Sequence, residues 1–385
     1  MIRLISLLLA LVLCAPSGAQ QALPNDNQPG PYAVGFRAVE QVDASRAYQS
    51  ASAAAASARP IQTLVWYPAL KGGKPMRYDD YIALLGWDDD FSRTAEQQAK
   101  VVAEWLTAVV AQGRAAQVDA ERRAVLWAVR DAQAAAGKFP VLVYAPSLSS
   151  PAFENAEMME FLASHGYIVL ASPALGVDGR GQKLDIAHAE AQAADIRLLV
   201  DYAHALPQAD AARLAVAGFS FGGLANVLAA AKDDRIKALV SLDGTLRYHH
   251  RLVAEAPYLK LEQMRIPLLY LAQRPTAFER IRFMPDPSGG ILQKFKAADV
   301  YLLTMYAMEH AHFGASFLRL DPLVFDEYTR DEVAQSHGAV GRYVLNFLDG
   351  ALKGRRAGFD YLMKKPEQVG MPRHSVRSQL FPAQR

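Results

Sequence analysis

A mainly parallel α/β sheet with helices on both faces is the fold class this chain predicts. Three observations carry it. From Phe139 to Leu348 of the 385 residues, short apolar runs alternate with helix-forming stretches, the pattern of strands joined by crossover helices. One apolar run (213–217) passes through Gly218-Phe219-Ser220-Phe221-Gly222-Gly223 straight into a stretch of mostly good helix formers, 224–232. Hydrophobic residues make up 51% of the chain, enough for one large core.

The elements follow in order. The first 20 residues carry one cation (Arg3), an apolar stretch over 4–13 and small residues at Ser17-Gly18-Ala19. This predicts a secretory leader over residues 1–19, too short in its apolar part for a permanent membrane anchor. The expected location is therefore periplasmic or secreted. Leu13 stands before Cys14, where a lipoprotein cysteine usually follows a small residue, so a soluble product is expected. Cys14 is the only cysteine and leaves with the leader, which excludes disulfide, thiol and cysteine-metal chemistry in the mature chain. Without Arg3 the chain carries 40 basic against 39 acidic residues and no basic block. Nucleic acid and anionic membrane are thus not expected partners.

Residues 20–60 read as an N-terminal linker and first strand, with 20–31 and 50–60 rich in Pro, Gln, Ala and Ser. A strand over 61–68 ends at Pro68. Residues 91–136 turn Ala-, Gln-, Glu- and Arg-rich, with Val101, Val102, Trp105 and Val109 at helical spacing. They predict a helical insertion without strands, either a lid over a site or an arm packed on the sheet. Trp87 and Asp88-Asp89-Asp90 mark its entrance. Then come a strand at 139–144, a helix at 156–164 and a strand at 166–171. A loop (172–185) leads to a helix at 186–206, where Ile196, Leu199, Val200 and Ala203 make one apolar face. Strands at 236–242, 266–271 and 299–305 follow, and a helix at 332–348 closes the unit with Gly350 as its stop. One domain over 61–355 is expected, with 356–385 as a tail. Gly176-Val-Asp-Gly179-Arg-Gly181 imitates a dinucleotide fingerprint but lacks the helix that would follow, so it reads as turns.

A G-x-S-x-G between strand and helix forms an elbow that lifts the serine hydroxyl clear of the sheet, and its glycines leave room for the sharp turn. Serine becomes nucleophilic when a histidine takes its proton, and a carboxylate must orient that histidine. Along such chains the order is Ser, then Asp or Glu, then His. Asp243 fits as the acid, 23 residues beyond Ser220 at the end of the next strand, on the edge where ligands gather. A turn aspartate before Gly244 is the plain alternative. The next strand offers Gln273-Arg274-Pro275 and no carboxylate before Glu279. For the histidine, His310 is favoured and His312 competes. His-x-His with His249-His250 suggests a metal, but no carboxylate cluster completes a ligand set. No metal or cofactor is expected. His165, His188, His204, His337 and His374 read as surface or packing residues.

On these residues the chain from about Pro31 to Leu348 resembles the serine α/β-hydrolases of the dienelactone-hydrolase-like group, especially platelet-activating-factor acetylhydrolases and bacterial polyester or cutinase-like lipases. The stretches concerned are Gly35-Phe36-Arg37, Trp66-Tyr67-Pro68, Leu162-Ala-Ser-His-Gly-Tyr167, Gly218 to Gly223, Leu242-Asp243 and His310 to Phe313. The resemblance implies an α/β-hydrolase fold, here with the helical insertion read at 91–136, and a small-molecule ester as substrate. It supports Asp243, because the acetylhydrolases take their acid from the strand after the elbow. The oxyanion hole is expected from the N–H groups of Phe221 and Leu148. Relatives carry His-Gly-x-Gly in the second loop, where this chain has Pro146-Ser147-Leu148-Ser149. That departure keeps a non-catalytic small-molecule-binding protein in view, and the same triad also permits amide cleavage. Trp87, Phe219, Phe221 and Phe313 are candidates to line an acyl pocket, or else core residues.

Overall fold

The computed structural model describes residues 26–51, 55–111, 115–275, 290–321, 325 and 327–384. The expected leader at 1–19 lies outside the described residues. Eleven described strands form one sheet. They are β1 (Ala33–Tyr48), β2 (Ser57–Ala69), β3 (Pro75–Arg77), β4 (Val125–Arg130), β5 (Phe139–Ala145), β6 (Ile168–Ala171), β7 (Ala209–Phe219), β8 (Ile236–Leu242), β9 (Leu268–Gln273), β10 (Val300–Met305) and β11 (Val376–Phe381). Their order across the sheet is β11-β10-β9-β8-β7-β5-β6-β2-β1-β4-β3. The stretch from β6 to β10 is parallel throughout, while β2 and β11 pair antiparallel at its flanks. Every residue of β5 and β6 is buried, as continuous apolar strands covered on both faces must be.

Ten helices accompany the described sheet: α1 (Tyr78–Ile82), α2 (Ala95–Val110), α3 (Ala115–Arg122), α4 (Ala156–Ser164), α5 (Ile186–Ala205), α6 (Phe221–Ala230), α7 (His250–Ala254), α8 (Ala315–Leu320), α9 (Arg330–Lys353) and α10 (Arg356–Leu362). Two apolar clusters result, one per face. Met159 and Phe161 of α4 and Val340 and Val344 of α9 lie in the first. Ile196, Leu199 and Val200 of α5 and Leu224 and Leu228 of α6 lie in the second. Local chemistry sets the helix starts: Asp185 caps α5 by accepting from the His188 N–H at 2.9 Å, and Thr329 with Glu332 forms a capping box at α9.

Four sequence expectations need correction. The stretch 91–136 is not all helical, since β4 lies inside it and pairs parallel to β1. Strand β2 begins at Ser57, so the end of the supposed 50–60 linker is already sheet. Gly350 does not stop the last helix. A Cβ there would stand 2.9 Å from the Phe359 ring, so this glycine admits α10 against α9, and the helix ends at Gly354 with φ +66°. Finally, 356–385 is more than a tail: α10 packs on α9, and β11 extends the sheet beside β10.

Candidate active site

Strand register levels the site. The pairs Ala145↔Gly218, Phe219↔Leu242, Leu242↔Leu271 and Gln273↔Met305 align the carboxyl ends of β5, β7, β8, β9 and β10 on one edge. Ser220 follows β7, Asp243 follows β8, and His310 sits five residues beyond the end of β10.

Ser220 has φ +53° and ψ −115°, a strained conformation for a residue with a side chain. Its backbone is pinned: its N–H donates to the Leu242 carbonyl at 3.0 Å, and its carbonyl accepts from Thr245 at 2.8 Å and Gly223 at 3.0 Å. The glycines leave the room. A Cβ on Gly222 would overlap the Ala145 carbonyl oxygen and lie 2.7 Å from that of Pro146. One on Gly223 would stand 2.7 Å from the Gly244 Cα.

His310 Nε2 lies 2.9 Å from Ser220 Oγ, and His310 Nδ1 lies 2.6 Å from Asp243 Oδ2. The buried carboxylate fixes the tautomer, because Nδ1–H must donate to it and Nε2 is left to accept the serine proton. Asp243 has no solvent exposure and φ +42°, a conformation Asp adopts more readily than most residues. Its Oδ1 accepts from Tyr248 Oη at 2.6 Å and from the Gln273 N–H at 3.0 Å. Three donors therefore surround one buried carboxylate.

His312 goes elsewhere. It is buried, it accepts the Glu309 N–H at Nδ1 (3.0 Å), and its ring stacks on Phe325. Burial pulls it down to about 4, so it stays neutral at ordinary pH. Sequence reasoning passed over Gln273 because it is no carboxylate. Its Oε1 accepts the His310 backbone N–H at 3.0 Å, and its Nε2 donates to Tyr248 Oη at 3.2 Å. One side chain thus supports both the histidine loop and the acid's partner. The usable signal was its place at the end of β9, level with the other strand ends.

The loop expected to carry glycines is built another way. Ser149 takes the left-handed conformation, φ +56°, that a glycine would supply. Gln182 holds it, accepting the Ser149 N–H at 3.0 Å while its own N–H donates to Ser149 Oγ at 2.7 Å. Gln192 donates to the Pro146 carbonyl at 2.8 Å. The Ser147 N–H donates to Glu154 Oε2 at 3.0 Å, and Ser147 Oγ bonds the other carboxyl oxygen. Among the described residues, neither the Phe221 nor the Leu148 N–H has an acceptor. Phe219, Phe221 and Phe313 are buried core residues, with the Phe219 ring 5.1 Å from that of His310. Trp87 is partly buried, packs on the core and meets Phe91. Gly176 and Gly181 lie in a connecting loop at φ +74° and +80°, as turns.

The comparisons agree with this architecture. Residues 152–267, from before the elbow to beyond Asp243, match the prolyl oligopeptidase family. A ferulic acid esterase from Streptomyces cinnamoneus superposes with a TM-score of 0.64 at 19% identity, over 94% of this chain and 100% of that one. No curated protein sequence matches at a significant level. A mainly parallel sheet with a serine elbow between strand and helix, matched in these two ways, makes the fold of this chain that of the serine α/β-hydrolases.

Proposed function

We propose that this chain is a serine hydrolase that cleaves carboxylic esters by acyl transfer. The observation that carries the reading is the pair of hydrogen bonds from Ser220 Oγ to His310 (2.9 Å) and from His310 to buried Asp243 (2.6 Å). Ser220 Oγ attacks the ester carbonyl as His310 Nε2 takes its proton. Asp243 holds the resulting imidazolium, and the Phe221 and Leu148 N–H groups stabilise the oxyanion. His310 then returns the proton to the leaving alkoxide, giving the alcohol and an acyl-enzyme on Ser220. Water then attacks the acyl carbonyl as His310 takes its proton, and His310 returns that proton to Ser220 Oγ as the acyl–Oγ bond breaks and the acid leaves. Export through the leader read at 1–19 belongs to the same proposal.

Amide or peptide cleavage is the second reading, favoured by the prolyl oligopeptidase match across the elbow and the acid. Matched ester and anilide substrates separate the two. Reaction with a fluorophosphonate tests both at once: native protein should label at Ser220 and Ser220→Ala should not. An unlabelled, folded native protein returns the case to the non-catalytic binding scaffold. Ester turnover should fall by roughly 10³-fold or more in Ser220→Ala. A panel from acetyl to dodecanoyl esters then reads the acyl preference.

A further inference from the structure

Behind the site lies one short buried turn that touches two of its loops. Glu154 and Asn155 both have 0% exposure, just ahead of α4. Glu154 reaches towards the sheet. Its Oε2 accepts from the Ser147 N–H at 3.0 Å and from Tyr144 Oη at 2.8 Å, while its Oε1 is bonded to Ser147 Oγ. Every one of these donors lies on the last residues of β5 or on the loop that carries Leu148. The Glu154 backbone carbonyl faces the other way and accepts from the Ser316 N–H at 2.9 Å.

Asn155 completes the link. Its Nδ2 donates to Tyr144 Oη at 2.7 Å and to the Phe313 carbonyl at 3.0 Å, and its Oδ1 accepts the Ala315 N–H at 2.8 Å. It therefore grips the chain on both sides of Gly314, four residues past His310. A buried polar network of this kind is costly to leave half-satisfied, so it holds one arrangement of the groups it joins. The loop it fixes lacks the glycines that would otherwise let it settle, and hence depends on side chains for its shape.

We propose that Glu154 and Asn155 are positioning residues of the Ser220 site, setting the loop that carries Leu148 and the loop that follows His310 from a single buried turn. The inference rests on the ester-hydrolase reading above, and it assigns these residues no contact with substrate. Burial raises the Glu154 carboxyl above its usual range, so a neutral amide is a fair replacement. In Glu154→Gln the amide oxygen can keep the Ser147 N–H and Tyr144 bonds. The amide nitrogen can donate to Ser147 Oγ, which turns its own proton to Ser150 Oγ at 2.8 Å. Leucine can do none of this.

The test uses the full chain with a short-chain nitrophenyl ester, well below the melting temperature of each variant. Native turnover and its loss in Ser220→Ala are established first. Misplacing an oxyanion donor removes transition-state binding only, so Glu154→Leu should lose about 10- to 100-fold in kcat with KM nearly unchanged. Glu154→Gln should recover to within about fivefold of native, a rescue that a merely space-filling role would not give. Should Glu154→Leu fail to fold, Ser147→Ala removes the hydroxyl link alone and should lower kcat by at least about threefold at constant KM. Native activity with a folded Glu154→Leu or Ser147→Ala of unchanged kcat overturns this inference and leaves the ester reading standing. A Gln variant as impaired as Leu overturns it too. Folded native protein without ester turnover overturns both.

Discussion

Gln273 and Tyr248 show how much of a serine–histidine–aspartate arrangement depends on residues with no proton to transfer. Asp243 is fully buried, and the donors around its carboxylate fix the position from which it holds His310. Tyr248→Phe removes the 2.6 Å bond to Oδ1 and leaves the Gln273 N–H and His310 in place. Turnover should fall about tenfold, since a hydrogen bond to a charged group contributes roughly 1.5–3 kcal/mol. Gln273→Ala keeps its backbone donor to Asp243 but frees the His310 backbone and unties Tyr248. Its loss in kcat should match or exceed that of Tyr248→Phe, with little change in KM. Steady-state kinetics decide the matter, and native-like turnover in Gln273→Ala would mean that the histidine loop holds itself. Neither residue stands out by type in a sequence. Ser220, Asp243 and His310 were legible because strand ends, glycines and chain order constrain them, whereas a glutamine becomes informative only once register places it level with them.

At the level of elements, what sequence missed was sheet that is short or peripheral. The six residues of β4, Val125-Leu-Trp-Ala-Val-Arg130, sit in a helical composition that hides them in any long window. Strand β11 is polar at half of its six positions, without alternation, and gains its state by pairing with β10. The parallel strands and α4, α5 and α9 were readable because burial on both faces, or on one stripe, writes itself into residue type. The insertion shows both behaviours. Helix α2 has no fully buried residue, but α3 is fastened to α8. Arg319, with 0% side-chain exposure, pairs with Glu121 at 2.5 Å and with Glu157, and lies over the Tyr78 ring at 4.9 Å. Gln117 adds a bond to the Arg319 carbonyl at 2.8 Å. Removing one partner from a buried ion pair is strongly destabilising because a charge is left short of compensation. Glu157 remains as a second anion, so Glu121→Ala should cost about 2–3 kcal/mol, less than the full penalty for an orphaned charge. Urea denaturation measures it. A loss below about 0.5 kcal/mol, the range of ordinary surface substitutions, would show that the pair does not hold α3 in place.

For the molecule as a whole, the buried ionisable groups give stability a pH dependence with two opposing arms. His312 is pulled down to about 4 by burial, and burial lowers His337 as well. Between pH 6.5 and 4 the unfolded chain takes up protons that the folded chain refuses. His312 therefore lowers stability as pH falls through that window, by up to about 1.4 kcal/mol per pH unit, and His337 adds to the fall in the same direction. Glu160 acts in the other direction. Burial raises it to about 7, although Tyr81 Oη at 2.7 Å and the Trp127 N–H at 2.6 Å both donate to it. Its folded pKa exceeds its unfolded one, so the stability it supplies is complete below about 4.5 and is lost as pH rises towards 7. In the native protein the two slopes offset each other between pH 4.5 and 6.5, which flattens the curve. Glu160→Gln removes the Glu160 share of the opposing slope, while other carboxyls that burial raises, such as Glu154 and Asp88, keep theirs. Its unfolding free energy should fall more steeply on acidification than that of the native chain, whatever its absolute stability. Denaturant titrations at half-unit steps from pH 4.5 to 6.5 compare the slopes directly. Parallel curves for the two proteins would mean that Glu160 titrates at an ordinary carboxylate pKa in the folded state.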